Sequence, residues 1–176
     1  MLDVERAFTN KQLAGGALML EAAQRDGLVP HHIDPHLTIA LMIDRITEIS
    51  LDGGEFGKGH VIAELDIAPG LWFFDCNFPG DPVMPGCLGL DAMWQIVGYW
   101  LGWSGSPGKG RAVGVGEVEF RGDIKPNIKR VRYEVSMRQV RRGKLAVAIA
   151  NGSVFADEAC VYLAKDMRVG LIASAI

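Results

Sequence analysis

Asp91 and Gln95 stand four residues apart in FFDCNFPGDPVMPGCLGLDAMWQ, Phe73 to Gln95, and they are the strongly polar side chains of an otherwise apolar segment from Cys87 to Trp103. On a helix, positions four apart lie one turn above the other on the same face, so the carboxyl and the amide are expected to meet. An ionised carboxylate in apolar surroundings is costly unless paired. Burial favours the protonated form, which is what a general acid needs near neutral pH. A plainer reading stands beside this one: near a helix start, Asp91 can complement the helix dipole or cap backbone N–H groups. Ahead of it, GDPVMPG brings Pro85 and Gly86 to the helix start, where free N–H groups would point into any adjoining cavity. Such groups can hold a carbonyl oxygen as negative charge builds on it, although Pro and Gly are common at ordinary helix starts too. Cys87 sits where a helix N-terminus can activate a thiol, but no histidine is near it in sequence, and a packing role is expected.

These residues need an element to hold them, and the apolar run supplies it. Leu88, Leu90, Met93, Trp94, Ile96, Val97, Tyr99, Trp100, Leu101 and Trp103 fall on every side of a helical wheel, which predicts a buried helix over Cys87–Trp103. Upstream, Leu41 to Ile49 and Gly59 to Leu65 read as two strands of a hairpin around Asp52-Gly53-Gly54. Downstream come four successive strand patterns: Arg111 to Phe120, Lys129 to Val140, Lys144 to Val154 and Ala159 to Leu171. Turn-forming residues such as Lys125-Pro126-Asn127 and Arg142-Gly143 separate them. Consecutive strands with short links predict an antiparallel sheet. A single all-apolar helix between strand groups is best covered if that sheet curls around it, giving an α+β architecture with a central helix. Near the N-terminus, Thr9 and Gln12 form a capping-box pattern for a peripheral helix ending at Gly27. Val29 to Thr38 then reads as an irregular connection carrying His31, His32 and His36.

The 176 residues predict one domain over 1–176, in which 1–40 form the peripheral helix and connection. Cys76, Cys87 and Cys160 are odd in number and lack metal-ligand spacing. The first residues carry acids where a signal peptide carries bases, so a reducing cytoplasmic setting is expected. The longest apolar run is broken by Asp91 and Gln95, which argues against a membrane span. His32 and His36 are read as solvated or structural, and no metal is expected.

The stretch LWFFDCNFPGDPVMPGCLGLDAMWQIVGYWLGW, followed by GKGRAVGVGEVEF, closely resembles the bacterial 3-hydroxydecanoyl-acyl-carrier-protein dehydratase/isomerase family of fatty-acid synthesis. The similarity runs from about Leu41 to the KDMRVGL segment. It implies the hot-dog fold, a homodimer with active sites at the subunit interface, and no cofactor or metal. The implied chemistry dehydrates a 3-hydroxyacyl chain of about ten carbons on acyl carrier protein to the trans-2-enoyl form, then isomerises it to cis-3. By the same resemblance Asp91 is the catalytic carboxylate that handles the departing hydroxyl, with Gln95 beside it. Gly86 donates its N–H to the thioester carbonyl, the Val83 carbonyl orients the base, and Cys87 lies at the substrate. The base is a histidine in a CHF tripeptide. This chain has Cys76-Asn77-Phe78 there, and an amide does not exchange a proton near neutral pH. It can reproduce the hydrogen bonding of one imidazole nitrogen, so acyl binding without efficient turnover is expected. Asn77 is either an engineered replacement or a natural change. A non-catalytic acyl-binding homologue and a hot-dog thioesterase remain as other readings.

Nine of the chain's 18 basic residues lie between Arg121 and Lys144, against two acidic ones. Acyl carrier protein is acidic, and Arg138, Arg141, Arg142, Lys144 and Arg168 are the expected docking residues. A solvated strand face is the bland alternative. Nucleic acid is a poor fit without interleaved aromatics.

Overall fold

The computed structural model describes residues 42–76, 79–143 and 145–172. The N-terminal helix and the histidine-bearing connection expected from the sequence lie outside them. The described residues form seven strands and two helices, in order β1 (Arg45–Ser50), β2 (His60–Asp66), α1 (Phe73–Cys76), α2 (Gly86–Trp103), β3 (Lys109–Gly114), β4 (Glu117–Phe120), β5 (Arg130–Arg141), β6 (Leu145–Ala156) and β7 (Ala159–Ile172). They form one antiparallel sheet of order β1-β2-β5-β6-β7-β3, with β4 also on β7.

The long strands alternate as a half-buried sheet requires. Val131, Tyr133, Val135 and Met137 of β5 all point into the core, as do Ala146, Ala148, Ala150, Gly152 and Val154 of β6. The small inward residues of β6 let α2 lie close. Met93, Ile96, Val97, Trp100 and Leu101 of the helix are buried over β5, β6 and β7. Gly152 makes the closest approach possible, because a Cβ there would stand 2.6 Å from the Met93 sulfur.

The sheet must bend to wrap the helix, and its register shifts align to do so. The irregularities fall at Met137/Gln139 in β5 and Ala150/Gly152 in β6, and beside them in β7 Asp166 takes the left-handed conformation at φ 54°. The Asp166 N–H is held by Asn151 Oδ1 at 3.1 Å.

The fold is the expected one, with three local differences. First, β1 and β2 are joined by residues 51–59 rather than by a tight turn. That segment is fixed by Trp100, whose ring occupies the space beside Gly59 and whose Nε1 donates to the Ser50 carbonyl at 2.8 Å. Second, the single strand expected at Arg111 to Phe120 is two. It breaks at Gly116, whose N–H crosses to the Lys165 carbonyl at 3.0 Å, so β3 runs beside the C-terminal half of β7 and β4 beside the N-terminal half. Third, α2 is not buried on all sides. Cys87 is exposed, and Asp91, Trp94, Gln95, Gly98 and Gly102 are half-buried. These positions share one helical stripe, which the chain's own sheet does not reach.

Candidate active site at the head of the central helix

Helix α2 begins without a side-chain cap, since Pro85 occupies the cap position. Pro85 cannot serve as a polar cap, but its carbonyl accepts from the Leu88 N–H at 2.9 Å. The N–H groups of Gly86 and Cys87 have no acceptor among the described residues, and both sit at the positive end of an 18-residue helix. The approach to this turn is fixed from behind. Val83 and Met84 are buried, and the Met84 N–H donates to the Ile124 carbonyl at 2.9 Å.

One turn further on, Gln95 Nε2 donates to Asp91 Oδ2 at 2.7 Å. The spacing of four therefore produces the contact that helical geometry predicts. The bond fixes the carboxyl orientation and leaves its other oxygen available to a ligand. Both side chains lie on the stripe that the sheet leaves uncovered. Cys87, for which packing was expected, is exposed instead, because it is on that stripe too.

No sequence pattern marks the wall of this site. Phe120, at the end of β4, packs its ring against Gly86, where a Cβ would come within 2.6 Å of it. The Phe120 ring meets Tyr162 edge-on at 5.0 Å between centroids, and the Tyr162 ring in turn lies against Gly89. Burial pushes the Tyr162 phenol up to about 12, with the neighbouring Asp123 and Cys87 adding to the effect. Gly86 and Gly89 are thus the space into which two aromatic rings fit. Periodicity alone does not expose that pairing, which joins residues more than thirty apart.

Asn77 and Lys144 lie outside the described residues. The turn that leads to Asn77 is α1, which is anchored by the buried rings of Phe73 and Phe74, packed edge-on at 4.7 Å. Of the residues expected to dock a carrier, the four that the structure describes are not all free. Arg142 donates to the Ser104 carbonyl (3.1 Å), Ser104 Oγ (3.0 Å) and Ser106 Oγ (2.8 Å), so it closes the C-terminal end of α2. Arg138 pairs with Asp166, whereas Arg141 and Arg168 are exposed.

A curved antiparallel sheet wrapped on one long helix, with its polar pair near the helix head, defines the hot-dog class of folds. Residues 35–165 match the FabA-like domain, and the chain belongs to that family. Solved structures with the same architecture include the dehydratase heterocomplex ApeI:P of Xenorhabdus doucetiae, with a TM-score of 0.61 at 13% identity, covering 85% of this chain and 91% of that one. A putative thioesterase of Ralstonia eutropha superposes with a TM-score of 0.54 at 14% identity over 85% of this chain and 98% of its own. An uncharacterised protein from Pyrococcus horikoshii gives 0.53 at 13% identity, over 80% and 91%. At these identities the likeness is one of fold.

Proposed function

We propose that the chain is a homodimeric acyl-thioester dehydratase of the FabA-like family, acting on 3-hydroxyacyl chains of about ten carbons carried on acyl carrier protein. Its turnover is restricted by Asn77. The observation that carries this reading is the juxtaposition at the head of α2: two N–H groups, at Gly86 and Cys87, without an acceptor among the described residues, and one turn later a carboxyl oriented by Gln95 at 2.7 Å.

In the proposed reaction the Gly86 N–H holds the thioester carbonyl and stabilises the charge that develops on it when the C2 proton leaves. Asp91 gives a proton to the C3 hydroxyl, which departs as water, and a trans-2-enoyl thioester results. Isomerisation to the cis-3-enoyl form removes a proton from C4 and returns one to C2, so the double bond moves from C2–C3 to C3–C4. The proton from C2 needs an acceptor. Asn77, in the family's histidine position, has no basic nitrogen, so the site is set up to bind and polarise a chain rather than to turn it over rapidly.

The dimer is supported by two surfaces that the described residues leave open. One is the half-buried stripe of α2. The other is the edge strand β3, exposed at Lys109 through Val113.

The test is to follow enoyl formation from a 3-hydroxydecanoyl thioester with the chain as it stands, with Asn77→His, and with Asn77→His/Asp91→Asn. We expect Asn77→His to gain about 100-fold or more in turnover, the range that positioned general bases supply, and Asp91→Asn to abolish the gain. Equal, high activity with Asn77 and His would overturn the role given to this position. Release of free acid instead of enoyl product would favour a thioesterase.

A further inference from the structure

We propose that Phe120 is a substrate-contact residue: the sulfur of a bound acyl thioester rests on its ring, which makes the site prefer thioesters to oxygen esters. This rests on the acyl-thioester reading above and adds which residue meets the sulfur.

Register places Phe120 on the inner face of the sheet, opposite the buried Tyr162 in the pairing of β4 with β7. An inward-facing phenylalanine is ordinarily buried. Phe120 is 54% exposed instead, because it ends β4 beside the first residue of α2, where the helix that covers the rest of that face has only begun. Its orientation is nevertheless fixed. The ring meets Tyr162 edge-on at 5.0 Å, and the Tyr162 ring is wedged against Gly89. Directly after it, the Arg121 N–H donates to the Val161 carbonyl at 2.7 Å. An exposed ring held in this way is a preformed surface, with little rotamer freedom left to lose when a ligand covers it.

The ring also lies beside the group that would hold the carbonyl. A Cβ on Gly86 would stand 2.6, 2.9 and 3.2 Å from three ring carbons, so the ring touches the Cα next to an N–H that has no acceptor among the described residues. A carbonyl oxygen accepting from that N–H lies about 3 Å from the nitrogen. The two atoms bonded to the carbonyl carbon then come into the neighbourhood of the ring, the range of about 5 Å in which sulfur–aromatic contacts act. Which of the two faces the ring follows from the helix. Gly86 and Asp91 are five positions apart, about 140° around its axis. Gly86 faces the Phe120 ring, whereas Asp91 is on the uncovered stripe. Carbons C2 and C3 must run towards Asp91 for it to reach the C3 hydroxyl, so the other substituent, the sulfur, is directed to Phe120. Sulfur is large and polarisable and gains from an aromatic ring, while the smaller, harder oxygen of an ester gains less.

The experiment is calorimetric titration with two ligands, the N-acetylcysteamine thioester of 3-hydroxydecanoate and the oxygen ester of the same acid with N-acetylethanolamine. The proteins are the chain as it stands, Phe120→Leu, Phe120→Tyr, and Leu145→Ala as a control on an exposed apolar residue at the other end of the sheet. We expect the parent to bind the thioester more tightly than the oxygen ester. That preference falls about 2- to 10-fold in Phe120→Leu, the size of one sulfur–aromatic contact, and is kept in Phe120→Tyr and in Leu145→Ala. Taking the ratio of two ligands on one variant cancels a general loosening of the site, and circular dichroism confirms that each variant folds. If both ligands bind but their ratio is unchanged in Phe120→Leu, the role of Phe120 is overturned and the acyl reading stands. If neither ligand binds the parent, both fall together. An unchanged ratio with loss of a dimer on sedimentation of Phe120→Leu assigns the ring to a second copy and overturns the substrate contact.

Discussion

Tyr133 and Tyr162 face the core from β5 and β7, on either side of Val154 in the same row across the sheet. The Tyr133 hydroxyl is buried without a hydrogen-bond partner among the described residues, and desolvation pushes its phenol far above the ordinary value of 10. Tyr162 is pushed up to about 12 for the same first reason. A folded-state pKa above the unfolded one means that the native chain holds the proton more tightly. The associated stability is therefore complete below pH 10 and is lost as pH rises from 10 towards 12. Urea unfolding across this window is expected to show falling stability that becomes shallower in Tyr133→Phe and in Tyr162→Phe. An unchanged slope in both would sink the assignment. Near neutrality Tyr133→Phe is expected to cost less than about 1 kcal/mol, since no hydrogen bond among the described residues is lost.

Helix α2 links the head of the candidate site to the basic surface, and its two ends are held differently. The head is left uncapped, which suits a group that must receive a ligand. The tail is closed by Arg142, whose positive charge meets the negative end of the helix dipole through Ser104 and Ser106, with its guanidinium 5.9 Å from the Trp100 ring centre. Ser106 is only 5% exposed, so losing Arg142 strands a buried hydroxyl. Arg142→Gln is expected to destabilise the fold by about 1 to 3 kcal/mol, read as a fall in Tm on thermal unfolding. A variant with the Tm of the parent would show that the contacts carry no net stability. Arg142 thus acts on the helix first, which composition alone could not separate from a docking role.

At the scale of the molecule, the sheet covers one side of α2 and stops. The stripe from Cys87 to Gly102 and the edge at β3, where Val113 is 65% exposed, are surfaces open among the described residues that a second copy would cover. Sedimentation is expected to give twice the chain mass of 19.1 kDa. Val113→Asp, which places a charge on that edge, is expected to shift the chain towards monomer at micromolar concentration. A monomeric parent would remove the homodimer from the proposed function.

The helix and the strands were legible because their signals are local. The all-apolar run after Pro85, the alternation in β5 to β7 and the spacing of Asp91 and Gln95 each depend on helical or strand geometry over a few residues. The sequence also determined that a histidine is missing at position 77 of the resemblance. What pairs with what across the chain was not local. Only the tertiary structure seats Phe120 against Gly86 and ties Arg142 to the helix end. The strand break at Gly116 likewise depends on its bond to Lys165. The same applies to the uncovered face of α2. A helix apolar on every side announces that it must be buried, but which side its own sheet reaches is fixed by the width and curvature of that sheet.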